Sequence, residues 1–442
     1  AVSANRGVTL GLAGSGFGAD SNRTLSVAGT VSGAGALNKV GPGTVALGGA
    51  NTYEGGTFLL GGTLNVSNDA ALGIAGDGAG TGALVFNGGA LQTSGTWTNA
   101  DRAMTLLAGG GTFNIDTNRT FTITNSIAGE GRLTKTGMGV LVLAASNSYA
   151  GGTTVIGTFD RNPNSTVQIS HPDALGTGGV VLTNGGVLRM VGGIAVTNPL
   201  TLYGGDQSTT WSGALISNSG SNLWGGLIIV TTASSRITIN NGSTLRITNG
   251  MAGNQGMNFA VNSGNLVIDT TPVTLQAGIL FSGANNGLGT NYLNVGGNTF
   301  PSAKIWQGGL LVLGVDNALP TNGTLTVGDT SFLTSGKLDL NGYNQTVGSL
   351  YSGTNFNGSI ITNRSMTPVT FTVNQTANSD FLGTIGGNVA FVKGGTSTLI
   401  FAVANSYSNG TTIRGGALQV TNDAALGVAG DGAAVGPLAL EG

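Results

Sequence analysis

Short bursts of alternating apolar residues run along the whole chain, separated by glycine, asparagine and threonine. One burst contains Val45 and Leu47, and another contains Leu64 and Val66. Alternation with a period of two indicates β-strands with one buried face. Between the bursts, pairs such as Asn87-Gly88 supply residues that adopt the positive φ angles of tight turns. The pattern therefore predicts many short strands joined by tight corners.

The composition supports an ordered all-β protein. The 442 residues include 81 Gly and 9 Pro, and only 8% are charged. Glycine is less favourable than alanine inside a helix by about 1 kcal/mol, whereas the Thr, Val and Ile between the glycines favour strands. Because 40% of the residues are hydrophobic, the chain has the apolar surface that disordered low-complexity chains lack.

Charge and hydropathy exclude several partners. The net charge is −2 and the basic residues are scattered singly, so we expect no contact with nucleic acid. No run of about 18 apolar residues occurs, so we expect no membrane contact by this segment.

The absence of cysteine excludes disulfides and thiolate metal sites. The first residues, "AVSANRGVTL", do not form a secretion signal, so export would use a signal not present here.

The sequence repeats itself at two offsets. A shift of 96 (135 minus 39) aligns 4–60 with 100–156 without a gap, and "NTYEGGT" then meets "NSYAGGT". A shift of 354 (418 minus 64) aligns 36–88 with 390–442. Such self-similarity is typical of solenoids, in which each coil covers the open edge of its neighbour. Three positions recur in every clear copy, and we assign them structural roles: Lys39, Lys135 and Lys393; Asn51, Asn147 and Asn405; Tyr53, Tyr149 and Tyr407.

These repeats predict one continuous β-solenoid over residues 1–442. Clear copies cover 4–88, 100–159 and 390–442, and 160–389 holds diverged copies with longer loops. If one repeat forms four coils of about 24, the chain has roughly 18 coils stacked about 4.8 Å apart, a rod of about 90 Å. The equivalent lysines and tyrosines are then expected on the same side of the coil. We expect the three asparagines to be corner residues that satisfy their own backbone.

The repeated motifs resemble the autotransporter-associated β-strand repeat. They are "LNKVGPG", "NTYEGGT", "GTLNV" and "NDAALG" between Leu37 and Gly73, with further copies beginning at Leu133 and Val392. The segment "GKLDLNGYNQTVGSL" at Gly336 is also similar to this family. The resemblance implies a right-handed parallel β-helix that is exported and displayed by a bacterium. It implies a scaffold and no catalytic activity.

Residues suited to acid–base chemistry are few. The only histidine, His171, stands where the repeat has Asn68, so we interpret it as a corner variant and expect His171→Asn to be silent. No serine triad forms without another histidine. The adjacent pairs Asp101-Arg102 and Asp160-Arg161 would point to opposite faces of a strand. We therefore expect no enzyme.

Carboxylates at a spacing of eight suggest calcium as an alternative to ordinary turns. The four residues are Asp69, Asp77, Asp423 and Asp431. The surrounding sequence lacks the "GGxGxDx" pattern of calcium-bound β-rolls, and Asp beside Gly is common in turns. We expect no metal and no cofactor.

Two functions fit these observations. The first is a non-catalytic extracellular section of a long rod or filament, and its partner is then another copy, head to tail. By the repeat phases Gly442 corresponds to Gly88 and Ala1 to Trp97, so we expect the sequence to continue into a further copy, covalently or by stacking. The alternative is an adhesin or glycan-binding passenger region. In that case Trp211 and Trp224 are candidate ligand contacts, unless they fill the coil.

Overall fold

The computed structural model describes residues 2–12, 15–76, 82–158, 165–204, 213–232, 235–283, 289–329, 335–352, 358–428 and 438–441. Within these ranges the secondary structure consists of β-strands and two short 3-10 turns, Asp69–Leu72 and Asp423–Leu426. None of the helical segments found there has the length and apolarity to cross a bilayer.

The chain divides into two compact units, Ala1–Leu215 and Ile216–Gly442. The strands of the first unit are β1 (Val2–Ala4), β2 (Val8–Thr9), β3 (Ser15–Gly18), β4 (Thr24–Val27), β5 (Val31–Gly33), β6 (Leu37–Val40), β7 (Thr44–Leu47), β8 (Thr52–Tyr53), β9 (Thr57–Leu59), β10 (Thr63–Val66), β11 (Leu84–Phe86), β12 (Ala90–Thr93), β13 (Trp97–Asn99), β14 (Met104–Leu106), β15 (Gly111–Ile115), β16 (Thr120–Ile123), β17 (Ile127–Gly129), β18 (Leu133–Thr136), β19 (Val140–Leu143), β20 (Thr153–Ile156), β21 (Thr166–Ile169), β22 (Val180–Thr183), β23 (Val187–Met190), β24 (Ala195–Val196) and β25 (Leu200–Tyr203). Strand β26 (Leu215–Ser217) contains the boundary.

Three parallel faces build the first unit. The first face is the sheet β1-β4-β7-β10-β12-β15-β18-β20-β22-β25, and the third face is β3-β6-β9-β11-β14-β17. The second face contains β2-β5-β8 and β13-β16-β19-β21-β23. Strands of one coil pair in parallel with strands of the next coil, as in Val45↔Leu64 and Leu64↔Leu91. The all-β parallel solenoid predicted from the sequence is confirmed.

The second unit repeats this architecture. Its strands are β27 (Ser221–Trp224), β28 (Ile228–Val230), β29 (Ser235–Ile239), β30 (Thr244–Ile247), β31 (Met251–Gly253), β32 (Met257–Val261), β33 (Asn265–Ile268), β34 (Val273–Leu275), β35 (Ile279–Ser282), β36 (Thr290–Leu293), β37 (Ser302–Trp306), β38 (Leu310–Leu313), β39 (Thr324–Val327), β40 (Lys337–Asp339), β41 (Gln345–Val347), β42 (Ser349–Ser352), β43 (Ile360–Asn363), β44 (Val369–Asn374), β45 (Ser379–Phe381), β46 (Thr384–Gly387), β47 (Val389–Gly394), β48 (Thr398–Phe401), β49 (Ser406–Tyr407), β50 (Thr411–Ile413), β51 (Ala417–Val420) and β52 (Leu438–Leu440). They form parallel ladders such as β27-β30-β33-β36-β38-β40-β43-β46-β49, β29-β32-β35-β37-β39-β42 and β41-β44-β47-β50-β52.

Within the strands, apolar residues at alternating positions point into the coil and stack on the equivalent residues of the next coil. In β15 buried and half-buried positions alternate, and Phe113 and Ile115 are fully buried. The ring of Phe113 lies 4.8 Å from that of Phe86 and 6.1 Å from that of Phe121, between ring centroids. Burying each such side chain stabilises the fold by about 1.5–3 kcal/mol. These ladders form the core of the solenoid.

The coils of the first unit are shorter than the repeat suggests. Along the first face, eight register steps lead from Leu25 to Leu202, so the mean step (202 minus 25, divided by eight) is close to 22 and below the expected 24. Single steps vary, from 19 (64 minus 45) to 27 (91 minus 64). One repeat therefore makes four coils plus one further face.

The expectation that equivalent residues lie on one side of the coil is consequently wrong. Lys39 lies in β6 on the third face, whereas Lys135 lies in β18 on the first face. Tyr53 lies in β8 on the second face, and Tyr149 lies beside β17 on the third, next to Ser148, whose backbone N–H donates to Ile127. In both pairs, the second residue lies one face further along the coil than the first. The shift arises because a coil of this unit is shorter than a quarter of the repeat.

Candidate functional site

Each copy of the repeat contains a lysine whose ammonium group lies inside the coil. The Nζ of Lys39 donates to the carbonyl oxygens of Val40 at 2.8 Å, Gly41 at 2.9 Å and Gly61 at 2.9 Å. Lys39 is 1% exposed, and Lys135 and Lys393 are 0% exposed. The ammonium group thus joins a corner of its own coil to the corresponding corner of the next coil.

The other two lysines make equivalent contacts. Lys135 donates to the carbonyl oxygens of Thr136 and Gly137 and to Oγ of Ser165. Lys393 donates to the carbonyl oxygens of Gly394 and Gly415. Burial lowers the pKa of all three lysines, and it lowers the pKa of Lys135 to about 7. A neutral amine can act as a nucleophile, but these amines are buried and bound to backbone carbonyls and, in Lys135, also to a serine hydroxyl.

The recurring asparagine connects three successive coils. Oδ1 of Asn51 accepts from the backbone N–H of Val31 at 2.8 Å, and Nδ2 donates to the carbonyl of Ala71 at 2.6 Å. Both partners are 20 residues away, one on each side. The same pair of contacts is made by Asn147 with Ile127 and Ala174, and by Asn405 with Ile385 and Ala425. The side chains therefore bind the backbone of the neighbouring coils, which corrects the expectation that they satisfy their own.

The recurring tyrosine is paired with the threonine four residues later. The hydroxyl oxygens are 2.6 Å apart in Tyr53–Thr57, Tyr149–Thr153 and Tyr407–Thr411. Burial raises the pKa of Tyr53 and Tyr407 to about 12, and it also raises the pKa of Tyr149. The phenols stay protonated at any physiological pH and are structural donors or acceptors.

Arg102 has a structural role that the sequence analysis did not predict. It is 1% exposed, and its Nε and Nη2 donate to the two carboxylate oxygens of Asp69 at 2.7 and 3.1 Å. Its guanidinium also donates to carbonyl oxygens of Asp69, Leu72, Gly73, Ile74 and Gly82. We call these acceptors the guanidinium cradle. The sequence did contain a signal for this role. The match of "NRGVTL" at Asn5 with "DRAMTL" at Asp101 places Arg6 and Arg102 at one repeat position.

The diverged region keeps the asparagine contact without the full motif. In the second unit Asn298 accepts from the N–H of Val273 at 2.7 Å and donates to the carbonyl of Ala318 at 2.8 Å. Phe300 stands two residues later, where the clear copies have tyrosine, and is 4% exposed. The change of Tyr to Phe and the loss of the "GGT" that follows the tyrosine concealed this copy from a motif search.

Among the candidate ligand and catalytic residues within the described ranges, Asp69 and Arg102 are brought together as an ion pair. His171 is partly exposed and accepts at Nδ1 from the backbone N–H of Asp173, 3.1 Å away, as a corner residue does. Trp224 is 0% exposed and fills the coil, so its proposed contact with a ligand is wrong. Asp69 is occupied by Arg102. The candidates Trp211, Asp77, Asp431, Asp160 and Arg161 lie outside the described residues.

No group in the described ranges offers three or more residues of the types that bind metals. A surface pocket in the second unit is lined by nine residues without a titratable side chain, namely Leu275, Gly297, Asn298, Thr299, Phe300, Pro301, Pro320, Thr321 and Asn322. Such a pocket supplies no general acid or base. The recurring buried polar side chains of the clear copies instead bind backbone or a neighbouring hydroxyl.

Comparisons with known proteins relate the chain to autotransporter proteins. The family model named passenger-associated-transport-repeat matches residues 37–66, 133–157 and 391–420. The chain is 27% identical over 441 residues to a protein named adhesin BmaC autotransporter from Brucella suis biovar 1 (strain 1330). That alignment covers 87% of this chain and 13% of the relative, so the chain spans a small part of the relative's length. No solved structure matches. The chain therefore contains three matches to the passenger-associated-transport-repeat and is similar to part of an autotransporter adhesin.

Proposed function

We propose that this chain is a non-catalytic section of an extracellular β-solenoid passenger, displayed on or released from a bacterium. The observation that carries the proposal is that the recurring buried polar groups, Lys39, Asn51 and Tyr53 in the first copy, bind backbone or a neighbouring hydroxyl. Groups used in this way hold coils together and are not available to a substrate. The similarity to an autotransporter adhesin supports placement outside the cell.

The location can be tested in the producing bacterium. An epitope inserted at the exposed turn that contains Asn118, whose φ of 59° marks a tight corner, leaves the strands on either side intact. We expect an antibody to bind the epitope on intact cells or in the medium. Binding only after the cells are permeabilised would contradict the proposal.

Adhesion is the second candidate, and the name of the Brucella relative favours it. A scaffold section and an adhesive section differ in what the purified chain does on its own. If the chain is only scaffold, beads coated with it bind glycan arrays and host-cell matrix no more than beads coated with an unrelated protein. Saturable binding that free chain competes away would assign the adhesive activity to this section.

A further inference from the structure

One face of the second unit loses its regular ladder for two coils. Strands β28, β31 and β34 pair in parallel on this face. In the next two coils the corresponding place, between β36 and β37 and again between β38 and β39, is taken by residues 297–301 and 318–322, which contain no strand within the described range 289–329. The ladder resumes at β41, which pairs with β44. The surface pocket that contains Asn298 and Asn322 lies at this interruption, and we call it the proline groove.

Two prolines account for the interruption. Proline has no N–H and cannot donate to a ladder. The carbonyl of Pro301 accepts from the N–H of Thr324 at 2.9 Å, in the strand that follows. The carbonyl of Pro320 accepts from the N–H of Gly323 at 3.1 Å, which closes a tight turn of four residues. The chain therefore turns at Pro320 and does not run as a strand beside Phe300.

Several polar groups of the proline groove are without a partner. The backbone N–H and carbonyl groups of Phe300 and Thr321 make no hydrogen bond among the described residues. Phe300 is 4% exposed, and buried peptide groups without a partner are rare. The side chains of Thr299, Thr321 and Asn322 also make no hydrogen bond within the described part of the chain. The groove thus has donors and acceptors that are available to a ligand.

The size and lining of the proline groove suit a neutral ligand. Its volume is about 550 Å³, within the roughly 300–1,000 Å³ of small-molecule sites. Leu275, Phe300 and the rings of Pro301 and Pro320 supply apolar walls, and none of the nine lining residues is ionisable. An ionised ligand would lose its hydration without gaining a counter-charge. The lining therefore disfavours charged ligands.

A saccharide fits the proline groove better than an apolar molecule or a peptide. A purely apolar ligand would leave the peptide groups of Phe300 unpaired, at a cost. A peptide that adds as a strand needs an extended edge with free N–H groups, and Pro301 and the turn at Pro320 remove that edge. Sugar hydroxyls both donate and accept, and the C–H face of a sugar ring can pack against a proline ring.

We propose that the proline groove binds a neutral oligosaccharide. The peptide groups of Phe300 and the amide of Asn322 bind its hydroxyls, and Pro301 and Pro320 pack against its C–H face. The proposal rests on the proposed extracellular placement of the chain. It deepens the adhesive candidate function by naming a ligand class and a site.

Binding to oligosaccharides tests the proposal with the purified chain. The first probe is a printed array of neutral, sialylated and sulfated oligosaccharides, and the neutral member with the strongest signal is then titrated by calorimetry. We expect saturable binding to neutral members and weaker binding to the sialylated and sulfated ones. Thr321→Trp, which fills the groove, should lower the affinity more than about tenfold. Asn322→Ala, which removes one hydrogen-bonding group, should lower it about three- to tenfold.

Thr117→Trp is the matched control. Thr117, like Thr321, is an exposed residue of a tight turn, but it lies in the first unit. This variant should bind the oligosaccharide as the wild type does. Circular dichroism checks that the variants retain the β-fold, and Asn322→Ala keeps the test available if the bulkier Thr321→Trp does not fold.

The proposal would be overturned if no neutral oligosaccharide bound saturably, or if sialylated or sulfated members bound as well as neutral ones. Unchanged affinity in the folded groove variants, or an equal loss in Thr117→Trp, would also overturn it. None of these outcomes affects the antibody test on intact cells, so failure of the groove and failure of the proposed function are distinguishable.

Discussion

The recurring buried asparagine is tolerated because backbone groups of adjacent coils satisfy its side chain. Leaving a buried donor or acceptor without a partner costs about 1–3 kcal/mol. The parallel coils present N–H and carbonyl groups at every corner, and asparagine has one acceptor and one donor group that reach the coils on both sides. This explains why Asn51, which is 6% exposed, is repeated at Asn147 and Asn405.

Replacing Asn51 with alanine should destabilise the first unit by about 2–4 kcal/mol, because the N–H of Val31 and the carbonyl of Ala71 both lose their partner. Urea denaturation measures the effect. Asn51→Asp separates the two contacts, since a carboxylate still accepts from Val31 but cannot donate to Ala71. A loss below about 0.5 kcal/mol for the alanine variant, which is typical of surface positions, would contradict the assigned role.

The lysine inside the coil should make stability depend on pH. The native state releases the proton of Lys135 near pH 7, whereas the unfolded state holds it up to its ordinary pKa of 10.5. Between these values the unfolded state binds more protons, so stability rises with pH. Above pH 10 it should fall, because unfolded tyrosines ionise while Tyr53 and Tyr407 stay protonated to about 12.

Thermal melting across this pH range tests the assignment. Lys135→Met should flatten the rise above pH 7 and keep the fall above pH 10. Arg119→Gln, which removes an exposed cation, should leave both parts of the profile unchanged. A rise that persists in Lys135→Met would show that another group causes it.

At the level of elements, each copy of the repeat is a local module whose contacts do not depend on the face that it occupies. Lys39 and Lys135 lie on different faces and still bind the carbonyls of the next two residues. This is possible because every face of the solenoid presents the same parallel ladder to the coil above and below.

The sequence predicted the strands and the recurring residues of each copy, but not the face of the coil on which those residues lie. The period of two and the glycine corners were sufficient for the parallel solenoid. The coil length was not visible, because the loops vary in length between coils, as the unequal steps Val45↔Leu64 and Leu64↔Leu91 show. The burial of Trp224 was also not predictable, because nothing in its local sequence indicates whether an aromatic residue fills a coil or lies on a loop.

The glycine that ends the 3-10 turn is required by its surroundings. At Gly73 φ is +76°, and a Cβ would lie 2.5 Å from the carbonyl oxygen of Tyr53 and 2.9 Å from its ring. Gly73→Ala should therefore cost more than the roughly 1–2 kcal/mol of a left-handed conformation alone. Gly192→Ala is the matched control, since its φ is +91° and nothing lies within 4 Å. Equal losses of stability in the two variants would contradict the steric argument.

The guanidinium cradle should be the strongest single contact of the first copy. Arg102→Gln leaves the Asp69 carboxylate and several carbonyls without a donor, and we expect a loss of about 3–5 kcal/mol. Arg102→Lys should recover only a small part, because an ammonium cannot bind the carboxylate with two parallel bonds. Chemical denaturation with Arg119→Gln as control measures both. Full recovery by lysine would reduce the cradle to a simple charge pair.

For the molecule as a whole, the central claim is that its recurring polar side chains hold neighbouring coils together. This gives a role to the buried lysine and the buried asparagine of each clear copy, in a protein with few charges.

Hydrogen–deuterium exchange on Asn147→Ala tests this claim most directly. Asn147 accepts from the N–H of Ile127 in the preceding coil and donates to the carbonyl of Ala174 in the following one. We predict that the substitution accelerates exchange in the peptide containing Ile127 and in the peptide containing Ala174, while β4 and β7 keep their protection. Faster exchange confined to the peptide around residue 147, with Ile127 as protected as in the wild type, would contradict it.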